Sequence, residues 1–389
     1  MLNNRVVSVS ITTIPLHSHI SGEQRSIDGG SIPKMRKKAW VRIFIRSVIP
    51  DKIIQEKGIF ALSLPGMNKL IVVFLLLAHV TVYAQQGITI SAIAKFSKAD
   101  FSTIRNSKDL SGAISASTKD PQEQLQMLLL WADKFLQVDT SRFFSGGYPL
   151  TTDESIQKGI GLCDEYANIV TEFCKLNNIP CIRIEGYVKY AGFKSADVLD
   201  DANHAWNAVY IDSSWLLCDL FWSTCELINK GDASRFTKKI NTAYYLVPPA
   251  QLISTHLPLD PVFQFSNYPI SIQTFYTAVS RTDSTSYINY CDSLNAYLKL
   301  NEQEQKIKVG ENSYLFNKDN PNARIAAYYN YAVAVVNNKK TTLPELKRAG
   351  HFLDTAMDLI KRSSKPDIRE LLPACRQGKL RIEKRISVL

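Results

Sequence analysis

Followed from the N-terminus, the first sustained apolar stretch is Leu70–Ala78, nine residues without a polar side chain. It follows Met67-Asn68-Lys69 and leads into Val82-Tyr83-Ala84-Gln85. One positive charge, a short apolar run and small residues ahead of a cleavage point form the layout of a secretory signal. The run is well short of the ~20 residues that cross a bilayer as a helix. Residues 67–84 are therefore expected to be a signal peptide cleaved after Ala84, with an uncleaved anchor as the alternative. No Cys follows the run, which argues against a lipoprotein. Residues 1–66 carry no sustained periodicity and read as a low-order extension ahead of a start at Met67.

Beyond the signal, 85–120 is rich in Ser, Thr and Lys and is expected as a loose lead-in. Pro121–Val138 repeats Leu125, Leu128, Leu129, Ala132 and Leu136 at helical spacing, with proline at its start. A turn-rich connection, Asp139–Thr152, precedes a second helix from Leu162 to Leu176, which Asn177-Asn178 and Pro180 end. Three strand-like segments follow: Cys181–Tyr190, Ala205–Ile211 and Trp215–Trp222. Asp212-Ser213-Ser214 is a hairpin-type turn between the last two. Helices followed by an antiparallel meander predict an α+β fold rather than parallel βαβ units. The core is expected over 121–250, with an extended Pro-rich wrap over 251–275. An all-α C-terminal region is expected over 276–389. Its candidate helices are Thr285–Leu300, Asn322–Asn337, Leu343–Arg362 and Ile368–Ile386, weakly tetratricopeptide-like in pairing.

The net charge of +10 suggests a nucleic-acid partner until it is located. Residues 1–84 hold 11 basic and 4 acidic groups, a local +7, and the remaining 305 residues carry only +3. Residues 276–389 are basic too, but the charge is spread along helices as on solvated faces. No nucleic-acid partner is expected. The C-terminal helices are instead a candidate docking surface for a protein partner.

In an extracytoplasmic chain, seven cysteines leave at least one thiol free or paired with another molecule. There is no C-x-x-C pair and no acidic calcium loop, so neither a metal nor another cofactor is expected. Cys163 stands in Gly159-Ile160-Gly161-Leu162-Cys163-Asp164-Glu165, at the first turn of the second helix. Backbone N–H groups and the helix dipole there favour a thiolate and can stabilise an oxyanion. A buried structural cysteine is the competing reading. His204 opens the second strand on the face of Trp206, Ala208 and Tyr210. Asp219 is the sole charge in Trp215–Trp222, and a buried carboxylate needs a partner. If the turn at 212–214 makes a hairpin, residues near 207 oppose residues near 219. Asp219 could then orient the His204 imidazole.

Cys163, His204 and Asp219, at 41 and then 15 positions apart, closely resemble the pattern of the transglutaminase-like superfamily of papain-like folds. Gly161, Cys163, Ala167, His204-Ala205-Trp206-Asn207, Trp215, Asp219 and Trp222 all match it. A narrower similarity joins Tyr244–Pro249 and His256–Asp260 to the kyphoscoliosis-peptidase-like branch, with Phe263 where that branch has Trp. The resemblance implies a papain-like core and cysteine-dependent acyl transfer: hydrolysis of peptides or amides, or cross-linking of Gln to an amine. It implies Cys163 as nucleophile, His204 as base and Asp219 as orienting carboxylate, with Gly161, Trp206 and Asn207 as candidate substrate-binding residues. Hydrolysis is favoured, because a site must exclude ~55 M water before amines compete. A secreted or periplasmic enzyme would meet protein or cell-wall peptides. The rival is a non-catalytic scaffold of the same fold with a helical docking tail.

Overall fold

Residues 87–120, expected as a loose lead-in, form two helices, Ile90–Lys98 and Ser107–Ser117. Thr89 and Asn106 start them by accepting hydrogen bonds from the N–H groups of Ala92 and Asp109. Ser107 and Ser111 lie on the buried side, so the polar composition hid a packed face. The computed structural model describes residues 87–389 apart from 191–192, 194–200, 231–232, 278–286, 364 and 389. The expected extension 1–66 and signal peptide 67–84 lie outside the described residues. No helix among the described residues is long and apolar enough to cross a membrane.

The chain divides into two compact units whose segments alternate. Among the described residues one comprises 87–178 and 219–246, the other 179–218 and 247–388. The first unit is helical at its centre. Pro121–Phe135 starts on the Asp120 cap and buries Gln124–Ala132 without a break, so it is a central helix rather than an amphipathic one. Its two buried glutamines are satisfied: Gln126 by Thr89 and Gly87, Gln124 by the Thr118 carbonyl. Cys163–Leu176 buries Tyr166, Ala167, Ile169, Val170, Phe173 and Cys174. A hairpin of Cys225–Lys230 and Ala233–Lys238 follows the short helix Leu220–Thr224. Its Lys238 donates to the carbonyls of Ala132 and Leu136, closing the C-terminal end of the central helix.

The second unit holds the antiparallel sheet. His204–Ile211 lies between Cys181–Val188 and Ser214–Cys218, and His256–Pro258 pairs with the far side of Cys181–Val188. Tyr245–Val247, through which the chain re-enters this unit, adds a fifth strand at the other edge. The expected hairpin is present: Ile211 faces Ser214 across Asp212 and Ser213, both at positive φ. Asn207 faces Cys218. Gly186 sits opposite His204 in a place where a Cβ would meet the Leu257 carbonyl at 2.2 Å and the Trp206 ring at 2.6 Å. Only glycine lets the three strands close there.

The third strand is shorter than expected. It ends at Cys218, and Asp219 starts the helix Leu220–Thr224 instead of continuing to Trp222. Aspartate is a strong N-cap, and this local chemistry outweighs the strand-like composition of Leu220–Trp222. The segment 251–275 is not simply extended: it holds His256–Pro258, a 3₁₀ turn at Pro261–Gln264 and the helix Ile272–Thr277.

The helical C-terminal region matches Asn322–Asn337 and Leu343–Arg362 to the residue. Tyr290–Leu298 and Leu372–Ile386 are shorter than expected, with Pro366–Arg369 separate. Glu302–Phe316 is a further helix that periodicity missed, since it buries only Ile307, Gly310 and Ser313. Successive helices from 302 onward pack on one another. Leu346, Ala349, Leu353, Ala356 and Ile360 form the spine, with Phe352 stacked on Tyr328 at 4.0 Å between centroids. These helices belong to the unit of the sheet. Tyr187 on its strand accepts hydrogen bonds from Asn317 and Asn320.

Candidate active site

Cys163 is the first residue of its helix, as expected, and its side chain is half-buried. Two features place it. Gly161 is buried in a short parallel bridge, with Gln137–Val138 beside Ile160–Gly161, and its carbonyl accepts from the Asp139 N–H at 3.0 Å. A Cβ on Gly161 would stand 2.9 Å from the Cβ of Glu165 and 3.0 Å from the Ser155 hydroxyl. The helix start therefore folds back tightly over its own first turn. Glu165 in that turn accepts from the Leu162 N–H at 2.8 Å, taking up one of the N–H groups a helix start leaves open.

All seven cysteines are described, and none forms a disulfide. Burial pushes the Cys225 thiol up to about 12, with Asp219 and Cys163 adding to the effect against Lys238. Burial likewise pushes Cys375 up to about 11. Both remain thiols at any ordinary pH and are poor nucleophiles. Cys163 differs from them in being half-open at a helix N-terminus.

Asp219 shares the unit of Cys163 and is fully buried. Its carboxylate accepts from the Trp222 N–H at 2.9 Å, and its own N–H donates to the Tyr244 carbonyl at 2.8 Å. With burial as the larger cause, its charge helps push the Tyr244 phenol up. The aromatic packing beneath is Tyr166 on Phe221, then Phe221 on Phe236, at 5.1 and 5.9 Å between centroids.

His204 lies in the other unit, buried at the start of its strand. It shares a face with Trp206, ring stacked at 6.1 Å, as the period of 2 predicts. Trp206 and Asn207 are both buried in the sheet, where Asn207 donates to the Cys181 sulfur at 3.6 Å. A residue that sequence reasoning set aside stands beside His204. His256 on the edge strand is buried, 5.7 Å from the His204 ring and 5.1 Å from Trp206. Its Nδ1 is 2.8 Å from the Thr255 hydroxyl. Its one sequence signal was its place in the segment resembling the kyphoscoliosis-peptidase branch. Arg142, which pairs with Glu165 in the first unit, had no local signal at all.

Residues 108–220 match the family model of the transglutaminase-like superfamily. Kyphoscoliosis peptidase of Mus musculus is 32% identical over 114 residues, and that of Homo sapiens 33%, each covering 29% of this chain. Hillarin of Drosophila melanogaster is 25% identical over 122 residues. The aligned part is 17% of either kyphoscoliosis peptidase and 15% of hillarin, so the chain spans only a small part of these relatives. Residues 108–220 of this chain belong to the transglutaminase-like superfamily, on the branch that includes the kyphoscoliosis peptidases.

Proposed function

We propose that the chain is an extracytoplasmic cysteine enzyme that transfers peptide or amide acyl groups to water through Cys163, His204 and Asp219. The observation that carries this reading is the setting of Cys163. It is a half-open thiol on the first residue of a 14-residue helix, inside the matched family segment, while Cys225 and Cys375 are held as thiols by burial. His204 and Asp219 are buried polar groups of the type that such a nucleophile needs.

In this mechanism His204 takes the Cys163 proton as the sulfur attacks the substrate carbonyl. The Cys163 N–H donates to the developing oxyanion. His204 then gives the proton to the departing amine, leaving a thioester. A water, deprotonated by His204, attacks that thioester, releasing the acid and restoring the thiol. Asp219 holds the imidazole orientation and stabilises its protonated form. Protein or cell-wall peptides are the substrates that an extracytoplasmic location would supply.

A peptide library incubated with wild type and with Cys163→Ala tests the reading: cleavage by the first and none by the second is expected. Iodoacetamide titration of Cys163 across pH adds a check that needs no substrate. An apparent thiol pKa of about 8.5, unmoved by His204→Ala, would count against the enzyme and favour a scaffold. Sequencing the exported protein should find Gln85 at its start.

A further inference from the structure

Arg142 and Glu165 form a buried ion pair in the unit that holds Cys163, and neither belongs to the proposed triad. The guanidinium meets the carboxylate with both forks, Nη1 to Oε1 at 2.7 Å and Nη2 to Oε2 at 2.5 Å. Glu165 is 1% exposed. Its carboxylate accepts two further bonds, from the Leu150 N–H at 2.9 Å and from the Leu162 N–H at 2.8 Å. Arg142 Nη1 also donates to the Tyr148 carbonyl at 3.1 Å. Asp139 accepts from the Arg142 N–H, lies 3.5 Å from its Nε, and donates its own N–H to the Gly161 carbonyl. Burial pulls the Arg142 guanidinium down, but Glu165, Asp139 and Asp164 outweigh it and hold it above its ordinary value.

The bonds close a ring around the nucleophile. Gly161 and Leu162 are anchored on one side of Cys163 and Glu165 on the other, and the same two side chains hold the backbone of Tyr148 and Leu150. The loop they hold is open to solvent. Residues 144–149 are all exposed, and Tyr148 is 85% exposed. Taking two charges out of water is costly, and an apolar pair of similar volume stabilises a fold as well or better. What an apolar pair could not do is bind three separate backbone groups, at Tyr148, Leu150 and Leu162, at set distances.

We propose that Arg142 and Glu165 are positioning residues that lock the loop 146–150 to the first turn of the Cys163 helix, making it a rigid wall for a bound peptide at the helix start that carries the thiol. This rests on Cys163 being the nucleophile of the proposed function. A rigid wall matters to a peptide-sized reactant and little to a small one. Displacements of an ångström in such a positioning shell cost up to about a hundredfold in rate.

The test is the rate at which Cys163 is alkylated by iodoacetamide and by a peptidyl chloromethyl ketone, with trypsin and chymotrypsin cleavage in 142–150 followed in parallel. Glu165→Gln and Arg142→Lys are expected to slow the peptidyl reagent about tenfold more than iodoacetamide and to open the loop to cleavage after position 142, Phe144 or Tyr148. Breaking a buried pair can unfold a protein, so Gly147→Ala provides a milder variant. Its Cβ, at φ +147°, would press on Arg142 Cγ from 3.3 Å without touching the carboxylate. It should shift the ratio of the two rates in the same direction. A ratio equal to wild type in a folded variant, or equal slowing of both reagents, overturns the proposal. If the other two variants fail to fold, the ratio for Gly147→Ala decides. If the wild type turns over no peptide, the proposed function fails while the alkylation ratio still decides the clamp.

Discussion

The segment around Cys163 and the C-terminal helices solve the same problem, burial of a helical face, in opposite ways. In the C-terminal helices an apolar spine of Leu346, Leu353, Ala356 and Ile360 packs on Ile325, Tyr328 and Ala332. In the unit of Cys163, charged and polar groups are themselves buried: Glu165, Arg142, Asp219 and Ser155. The first solution gives stability through area removed from water. The second spends stability on desolvated charge in return for fixed geometry. The two regions should therefore respond differently to substitution.

Cys163→Ala is the sharpest test of that difference. Turnover should fall by about 10⁵-fold or more, measured by peptide release, with the melting temperature unchanged. Asp219→Asn comes next. Asparagine caps a helix about as well as aspartate, so stability should change by no more than about 1 kcal/mol, while turnover should drop by about 10³–10⁴-fold. Loss of stability with turnover preserved would reduce Asp219 to a cap and break the comparison. In the helical region Leu353→Ala should cost about 2–5 kcal/mol by denaturant unfolding and leave iodoacetamide alkylation of Cys163 at its wild-type rate.

The smallest effect belongs to Asp260, whose carboxylate accepts from Val262 N–H and Asn312 Nδ2. Burial pushes it up to about 6 despite those bonds. The folded state therefore holds a proton that the unfolded state releases near its ordinary value of 3.8. The contribution of Asp260 to stability is fully present below that value, declines as pH rises to about 6, and is constant above it. Asp260→Asn should flatten this decline in unfolding curves taken at a series of pH values.

What could be read in advance followed the same divide. Asn322–Asn337 and Leu343–Arg362 were legible to the residue because their pattern is helical and short connections bound them. Glu302–Phe316 was not, because what it buries is small or polar and leaves no stripe in the sequence. Near the thiol the short elements failed for a related reason. Asp219 sits in a run that composition makes a strand, yet its side chain starts a helix. The placement of Cys163 at a helix start and of His204 on the face of Trp206 was legible, since both depend on local spacing alone.

The sequence by itself determined the α+β class, the helix start at Cys163, and the hairpin that sets Asn207 against Cys218, because each depends on neighbours within a few residues or across a tight turn. Only the tertiary structure decided that His256 comes to stand against His204 and Trp206, and that Arg142 reaches Glu165. Those contacts join residues 52, 50 and 23 positions apart. No periodicity encodes them, and they form only when strands pair and a buried carboxylate must find its donors.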